Sequence, residues 1–239
     1  MLNIVTALSI EAKPIIKHFN LKAKNEIYQN NYLNLTITGS GKLKSAINTA
    51  ILLTKYQFPT LNIGIAGSDK YQINQGFFIH KIIDTDSNLK YYPDFFQNNS
   101  ETLHTVSQIK TYYPLVDMEG SGFFEACYKF LSVEKIILYK IVSDTPLREP
   151  KKDLIPSLIK NHIHVIENLL DSLPKKEEFF KDINEALKEA SLKMHLTKTQ
   201  YNQLKNILTY YKLINKPFPK FYEIRKKEEV KKFITSLTS

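Results

Sequence analysis

A single cysteine, Cys127, stands among the 239 residues of this chain. That excludes a disulfide framework and a cysteine-ligated zinc site, and it fits a reducing compartment. Long hydrophobic runs are missing as well; none approaches the roughly 20 residues that a membrane helix needs. The opening residues, Met1-Leu2-Asn3-Ile4-Val5, lack the basic region of a signal peptide. The expectation is a cytoplasmic protein with no membrane partner, in which the Asn98-Asn99-Ser100 sequon stays idle. Arginine is scarce, with only Arg148 and Arg225. Bidentate capture of phosphate is an arginine task, so little of it is expected. Glycine is confined to the first part of the chain, at positions 39, 41, 64, 67, 76, 120 and 122. Tight turns and close ligand approaches draw on glycine, so a small-molecule site belongs to the body of the chain and not to its tail.

What is present divides the same way. Hydrophobic residues make up 43% of the chain, enough for a core. The net charge is +9, but residues 174–239 hold 15 basic and 8 acidic residues, while residues 1–173 hold 18 and 16. A nearly neutral body, 1–173, is therefore expected to carry a basic helical extension, 174–239. In the body, strand-like segments at Leu2–Leu8, Leu33–Thr38, Leu61–Ala66, Gly76–Asp84 and Lys135–Val142 are interleaved with helical ones. The helical patterns cover Ile10–Phe19 (with Ser9 as N-cap), Lys42–Tyr56, Glu119–Leu131 and Leu154–Leu170. Strands alternating with helices predict an α/β fold, a three-layer αβα sandwich around a twisted, mostly parallel sheet. The stretch Thr85–Pro114 has no pattern. The tail reads as helices at Glu177–Met194, after a capping box at Thr197-Lys198-Thr199-Gln200, and at Lys226–Leu237.

In open α/β sheets, ligands collect at the carboxyl ends of the strands. Five segments lie there or lead into a helix: Ala7-Leu8-Ser9-Ile10-Glu11, Gly39-Ser40-Gly41-Lys42, Ile65-Ala66-Gly67-Ser68-Asp69, Val116-Asp117-Met118-Glu119-Gly120 and Ile141-Val142-Ser143-Asp144. They contribute the acids Glu11, Glu119 and Asp144. Taken singly, each is equally a partner for a helix dipole or a turn residue. Taken together, they could do acid–base work if their surroundings separate their pKa values.

In this order the segments resemble the nucleoside phosphorylase superfamily, and within it the methylthioadenosine/S-adenosylhomocysteine nucleosidase branch. The matching pieces are Ala7-Leu8-Ser9-Ile10-Glu11, Gly39-Ser40-Gly41-Lys42, Asn62-Ile63-Gly64-Ile65-Ala66-Gly67, Asp117-Met118-Glu119-Gly120 and Ser143-Asp144, and the resemblance covers about residues 1–173. It implies cleavage of the N-glycosidic bond of a purine nucleoside, with a 5′-modified adenosine among the candidates. Asp144 would be the general acid that protonates the leaving purine, and Glu11 would orient the attacking water. Glu119 would accept hydrogen bonds from the ribose hydroxyls, with Met118 against the sugar. Ser143, Gly67, Ile65, Leu8 and Ser40 would complete the substrate-binding wall. The chemistry suits these residue types, because glycosidic cleavage passes through an oxocarbenium-like state and needs a protonated leaving group. No cofactor or metal is implied. The phosphorylases of the superfamily hold phosphate with a Gly-Asp-Pro-x-Arg turn after the first strand. That turn is absent here, so hydrolysis is favoured over phosphorolysis.

The chain also departs from the family. About 30 residues join Ile83 to Leu115, where the nucleosidases use several times more. The aromatics of Lys90-Tyr91-Tyr92-Pro93-Asp94-Phe95-Phe96 either replace a base-stacking wall or plug a core. Two rivals to the enzyme stay open: a nucleoside-binding protein that has lost turnover, and a nucleic-acid-associated accessory protein that uses the basic tail. His162 and His164, two apart on one predicted helix, face different sides, and His80 reads as structural. Tyr201, Leu204, Leu208 and Tyr211 form an apolar stripe. It is expected to pack on the helix Leu154–Leu170 or on a partner subunit, as in a homodimer, leaving weak, salt-sensitive nucleic-acid binding to the lysines.

Overall fold

The structure is a computed structural model that describes residues 1–94, 99–108, 113–146, 151–172, 176–213 and 216–237, with the backbone alone at 176–181 and 213. The chain divides into two compact units, Met1–Ser172 and Leu173–Ser239.

Apolar runs make the strands of the first unit. These are β1 (Leu2–Thr6), β2 (Lys22–Lys24), β3 (Ile27–Gln29), β4 (Leu33–Ile37), β5 (Thr60–Gly67), β6 (Gly76–Asp84), β7 (Lys90–Tyr91), β8 (Ser100–Thr105), β9 (Val116–Asp117) and β10 (Ile136–Asp144). The helices between and after them are α1 (Ser9–His18), α2 (Lys42–Lys55), α3 (Gly120–Tyr128), α4 (Ile155–Asn161) and α5 (Ile163–Ser172). β1 and β10 are buried along their whole length, which is why they read as continuous apolar segments.

The sheet is mixed, and this corrects the expectation of a mostly parallel one. Among the described residues, five strand pairs are parallel and five antiparallel. Strands β5, β10, β6, β8 and β9 pair in a ring that returns to β5, closing a barrel. β1, β4, β3 and β2 continue outward from β5 as an open wing. Closure comes from the stretch Thr85–Pro114, where Ser100–Thr105 forms β8 beside β6. The barrel core packs Val5, Leu52, Phe77, Ile79, Leu103, Leu115, Phe123 and Leu138.

Two helices differ instructively from the sequence pattern. The predicted helix Leu154–Leu170 is interrupted at His162, which leaves α-geometry at φ −109° and ψ 12°. The His162 ring is held by the Tyr139 hydroxyl at 2.8 Å and the Asn74 carbonyl at 3.0 Å. The break lets His162 and His164 approach, with ring centroids 5.8 Å apart, although among the described residues no metal-ligating cluster of three or more forms. Helix α2 is turned about. Its buried side is Ser45, Thr49, Leu52 and Leu53, and its apolar stripe Leu43, Ile47 and Ile51 points outward, 73%, 50% and 49% exposed. α2 packs on α3 at a distance that only glycine permits: a Cβ on Gly122 would lie 2.2 Å from the Lys42 carbonyl oxygen.

The second unit has helices α6 (Lys176–Lys193), α7 (Lys198–Leu213) and α8 (Lys227–Ser236). The predicted capping box forms: the Gln200 side chain accepts from the Thr197 amide at 3.0 Å, and the Gln200 amide donates to Thr197 Oγ1 at 3.3 Å. Leu204 and Leu208 are fully buried against Ile183, Leu187, Phe221, Val230 and Ile234. The stripe expected to pack on the body's last helix or on a partner subunit is thus covered from within the extension. Tyr201 stays at its margin, 38% exposed.

The α2–α3 contact generates a test. Gly122→Ala must push the helices apart, and overpacking of this kind costs about 1–3 kcal/mol. Chemical denaturation should show that loss; an unchanged midpoint would mean the helices are not held at this distance in solution.

Candidate active site

The candidate site lies where the ladder on one edge of β5 is left open. β1 pairs with β5 as far as Val5 opposite Asn62. Further along the same strand, β9 takes over at Val116 opposite Gly67. The interval between them is a fork, and a cavity of about 130 Å³ opens there. It is lined by Ala7, Leu8 and Glu11, by Ser40, by Ile65, Ala66 and Gly67, by Val116, Asp117, Met118 and Glu119, and by Asp144. The strand-end segments singled out in the sequence therefore meet at one place.

Glu11 closes the fork. It is 1% exposed, and its carboxylate accepts from the Leu8 amide at 2.7 Å and the Ile65 amide at 2.9 Å. The Leu8 bond caps α1, so the N-cap is Leu8 and not the expected Ser9. The Ile65 bond satisfies a strand amide within the fork. Gly64 makes room for it, since a Cβ there would lie 2.9 Å from Glu11 Oε1.

Glu119 is clamped by the turn before α2. Gly39 and Gly41 hold φ of +83° and +101°, a backbone that L side chains rarely adopt. The turn brings the Ser40 hydroxyl and the Gly41 amide to Glu119 Oε1 at 2.9 and 2.8 Å. Asp117 is buried beside it. Its Oδ1 accepts from the Thr105 hydroxyl at 2.9 Å and its Oδ2 from the Gly120 amide at 2.9 Å. Its second neighbour is the Lys140 ammonium at 2.9 Å, itself 2% exposed.

Asp144 ends β10 just past a register shift in its pairing with β5, between Val142 and Asp144. Bulges of this kind re-aim a side chain. The Ser143 hydroxyl bonds Asp144 Oδ1 at 2.6 Å. Ser143 is buried and does not line the cavity, so it touches Asp144 and not the open space.

Burial dominates the electrostatics. It pushes the Glu11 carboxyl above its ordinary range, outweighing the two amides and Lys140, which pull the other way. Burial and the neighbouring Asp117 charge push Glu119 up as well. Burial opposes the charge on Lys140, but Asp117, Glu119 and Glu11 together hold its pKa above the usual lysine value. Four carboxyl groups thus line the cavity, with one buried ammonium among them.

Asp144, Glu11, Glu119, Met118, Gly67, Ile65, Leu8 and Ser40 all face the cavity, and Ser143 supports it from behind. The sequence reading did not single out Lys140 or Asp117. A lysine inside the apolar run Ile136–Val142 was the available signal, because a buried strand has no ordinary place for a charge. His80 is away from the cavity. Of the proposed aromatic wall, Tyr91 packs on Phe124 with centroids 5.3 Å apart and Tyr92 is exposed. Phe95, Phe96 and Arg148 lie outside the described residues. Cys127 is fully buried, and burial pushes its thiol well up.

Solved nucleosidases share this fold. The solved structures that share it include MTAN from Chlamydia trachomatis, at TM-score 0.60 and 16% identity over 71% of this chain and 98% of that one. A 5′-methylthioadenosine nucleosidase from Arabidopsis thaliana matches at TM-score 0.61 and 13% identity, over 72% and 96%. A futalosine hydrolase mutant from Helicobacter pylori matches at 0.58 and 15%, over 72% and 99%. No protein-family model matches the chain, and no curated protein does. Among the described residues, no helix is long and apolar enough to cross a membrane.

Lys140 can be tested through stability. Lys140→Met leaves the carboxylates without their cation, and breaking a buried pair this way costs about 3–5 kcal/mol. The raised glutamates ionise at increasing expense as pH rises through their folded-state pKa, so the loss should be larger at high pH. It should shrink as acid protonates them. Thermal unfolding at pH 5 and pH 8 reads this out; equal losses at both would mean that Lys140 does not offset these charges.

Proposed function

We propose that this chain hydrolyses the N-glycosidic bond of a purine nucleoside, with a 5′-modified adenosine as the leading candidate, and releases the free base. The observation that supports this reading is the grouping of Glu11, Glu119 and Asp144 around one cavity in a nucleosidase fold. The C. trachomatis MTAN has been solved with MTA and with adenine bound.

In this reading Asp144 gives its proton to the departing base as the bond to C1′ breaks. The electron pair of that bond leaves with the base, and positive charge develops on the sugar. Glu119, fixed by the Gly39-Ser40-Gly41 turn, takes the ribose hydroxyls and stabilises that charge. Glu11 orients a water whose oxygen attacks C1′ and accepts the proton it loses. Leu8, Ile65, Gly67 and Met118 give the cavity its apolar surface. Ser143 becomes a positioning residue for Asp144.

Hydrolysis is preferred to phosphorolysis on electrostatic grounds. None of the cavity-lining residues is arginine, and four are carboxyl-bearing. Such a wall repels a phosphate dianion and tolerates a neutral water. The outward stripe of α2 supports a second copy of the chain as partner, because Leu43, Ile47 and Ile51 form a row that water covers poorly. α2 also starts at the turn that clamps Glu119, so the same contact would steady the site.

Two measurements test this reading. Chromatography of products from a nucleoside panel should show base release without phosphate, and Asp144→Asn should slow it by about 10²–10⁴-fold. Ribose 1-phosphate as product, or full activity in that variant, would overturn it. For the partner, Ile47→Lys should convert a dimer into a monomer in sedimentation; a wild-type protein that is already monomeric refutes the second copy.

A further inference from the structure

The positive charge of the second unit is concentrated. Residues 173–194 carry five basic and five acidic residues and are neutral, whereas residues 195–239 carry ten basic and three acidic ones. The whole excess of +7 therefore falls on α7, α8 and the segment between them. Helix α7 contains no acidic residue.

Its lysines are spaced by sevens, at Lys198, Lys205 and Lys212. Two turns of helix separate consecutive ones, so they share a side. The buried side carries Gln200, Leu204, Leu208 and Tyr211. Lys198, Asn202, Lys205 and Asn206 are exposed on the other. Lys212 is paired with Asp182 at 2.7 Å and so anchors the row at one end. At the other end α8 begins close by, since the Gln200 amide group donates to the Lys227 carbonyl at 3.3 Å. That places Arg225, Lys226 and Lys227, all exposed, near the N-terminal end of α7. Lys231 and Lys232 are exposed further along α8.

We infer that the outer face of α7, together with Arg225, Lys226 and Lys227 at the entry to α8, where Lys226 pairs with Glu229 at 3.8 Å, binds double-stranded nucleic acid through its phosphates. A helix of 16 residues is about 24 Å long, which suits a helix lying along a duplex groove. Lysine supplies the phosphate contacts. Asn202, Gln203 and Asn206 supply amides that donate and accept alongside them. The face is wrong for a bilayer, which needs Trp, Phe or Leu opposite the basic row; here that opposite side is the unit's own core. The binding is independent of sequence, because phosphate contacts carry no base information. It does not depend on the nucleosidase reading, since the cavity takes no part in it.

The test uses the full chain and a short fluorescein-labelled random duplex, with anisotropy followed over a salt series. Binding should fall steeply with salt, with a log–log slope of about −0.9 for each phosphate neutralised. The variant Lys198→Gln/Lys205→Gln/Lys231→Gln/Lys232→Gln changes only exposed residues, and circular dichroism checks that its helices persist. Its slope should be shallower by up to about 3.6, while Lys188→Gln on α6 should leave the slope unchanged. No binding to the duplex at about 50 mM salt, the same slope in the quadruple variant, or tighter binding to phosphatidylserine vesicles than to the duplex would each overturn the inference.

Discussion

The Lys140 ammonium is the group on which the rest of the site depends. It sits inside β10 with no access to water, 2.9 Å from Asp117 and within the field of Glu119 and Glu11. A lone charge at this depth would be prohibitive. Its presence makes it tolerable to bury several carboxylates together. Asp117, held by Lys140, also takes the Gly120 amide and the Thr105 hydroxyl, so one ion pair fastens β10, β8 and the start of α3. Buried ion pairs add little net stability against an apolar substitute. What this one supplies is placement: the turn that carries Glu119 has nowhere else to go.

The second constraint is a place where pairing is withheld. β5 is paired along one edge by β10 without a gap from Thr60 to Ala66. On its other edge β1 departs and β9 arrives only at Gly67. A closed barrel with a wing needs such a junction, because two different strands must share one edge. The cavity follows from the topology, and its floor is formed by apolar side chains and a side-chain carboxylate where strand pairing would otherwise run.

Much of this could be read from the sequence, for identifiable reasons. The buried strands have continuous apolar runs, the Gly39-Ser40-Gly41 turn needs residues that accept positive φ, and strand ends are where acids become conspicuous. What escaped was information held by partners. Ser100–Thr105 has no apolar alternation, yet β6 and β9 pair with it on both sides, and with that strand the sheet turned from an open parallel one into a barrel. The stripe on α2 was visible, but periodicity reports which side of a helix is apolar, not which side is covered. Gly122 and the small Ser45 and Thr49 decided that. Lys140 was hidden by the apolar residues around it. In the extension, the stripe on α7 was legible and its cover was not, because periodicity does not say whether the neighbouring helices or the body will supply it.

The hydrogen bond from the Ile65 amide to Glu11 gives the molecule an internal reporter. An amide in the interior of a strand ordinarily exchanges its proton only when the sheet opens. This one is guarded by a single side chain, so its exchange follows the rotation and protonation of one carboxyl group rather than the breathing of the barrel. Ile65 is thereby a spectator whose isotope label would record, from the backbone, whether the acid beneath the cavity is seated or has swung away.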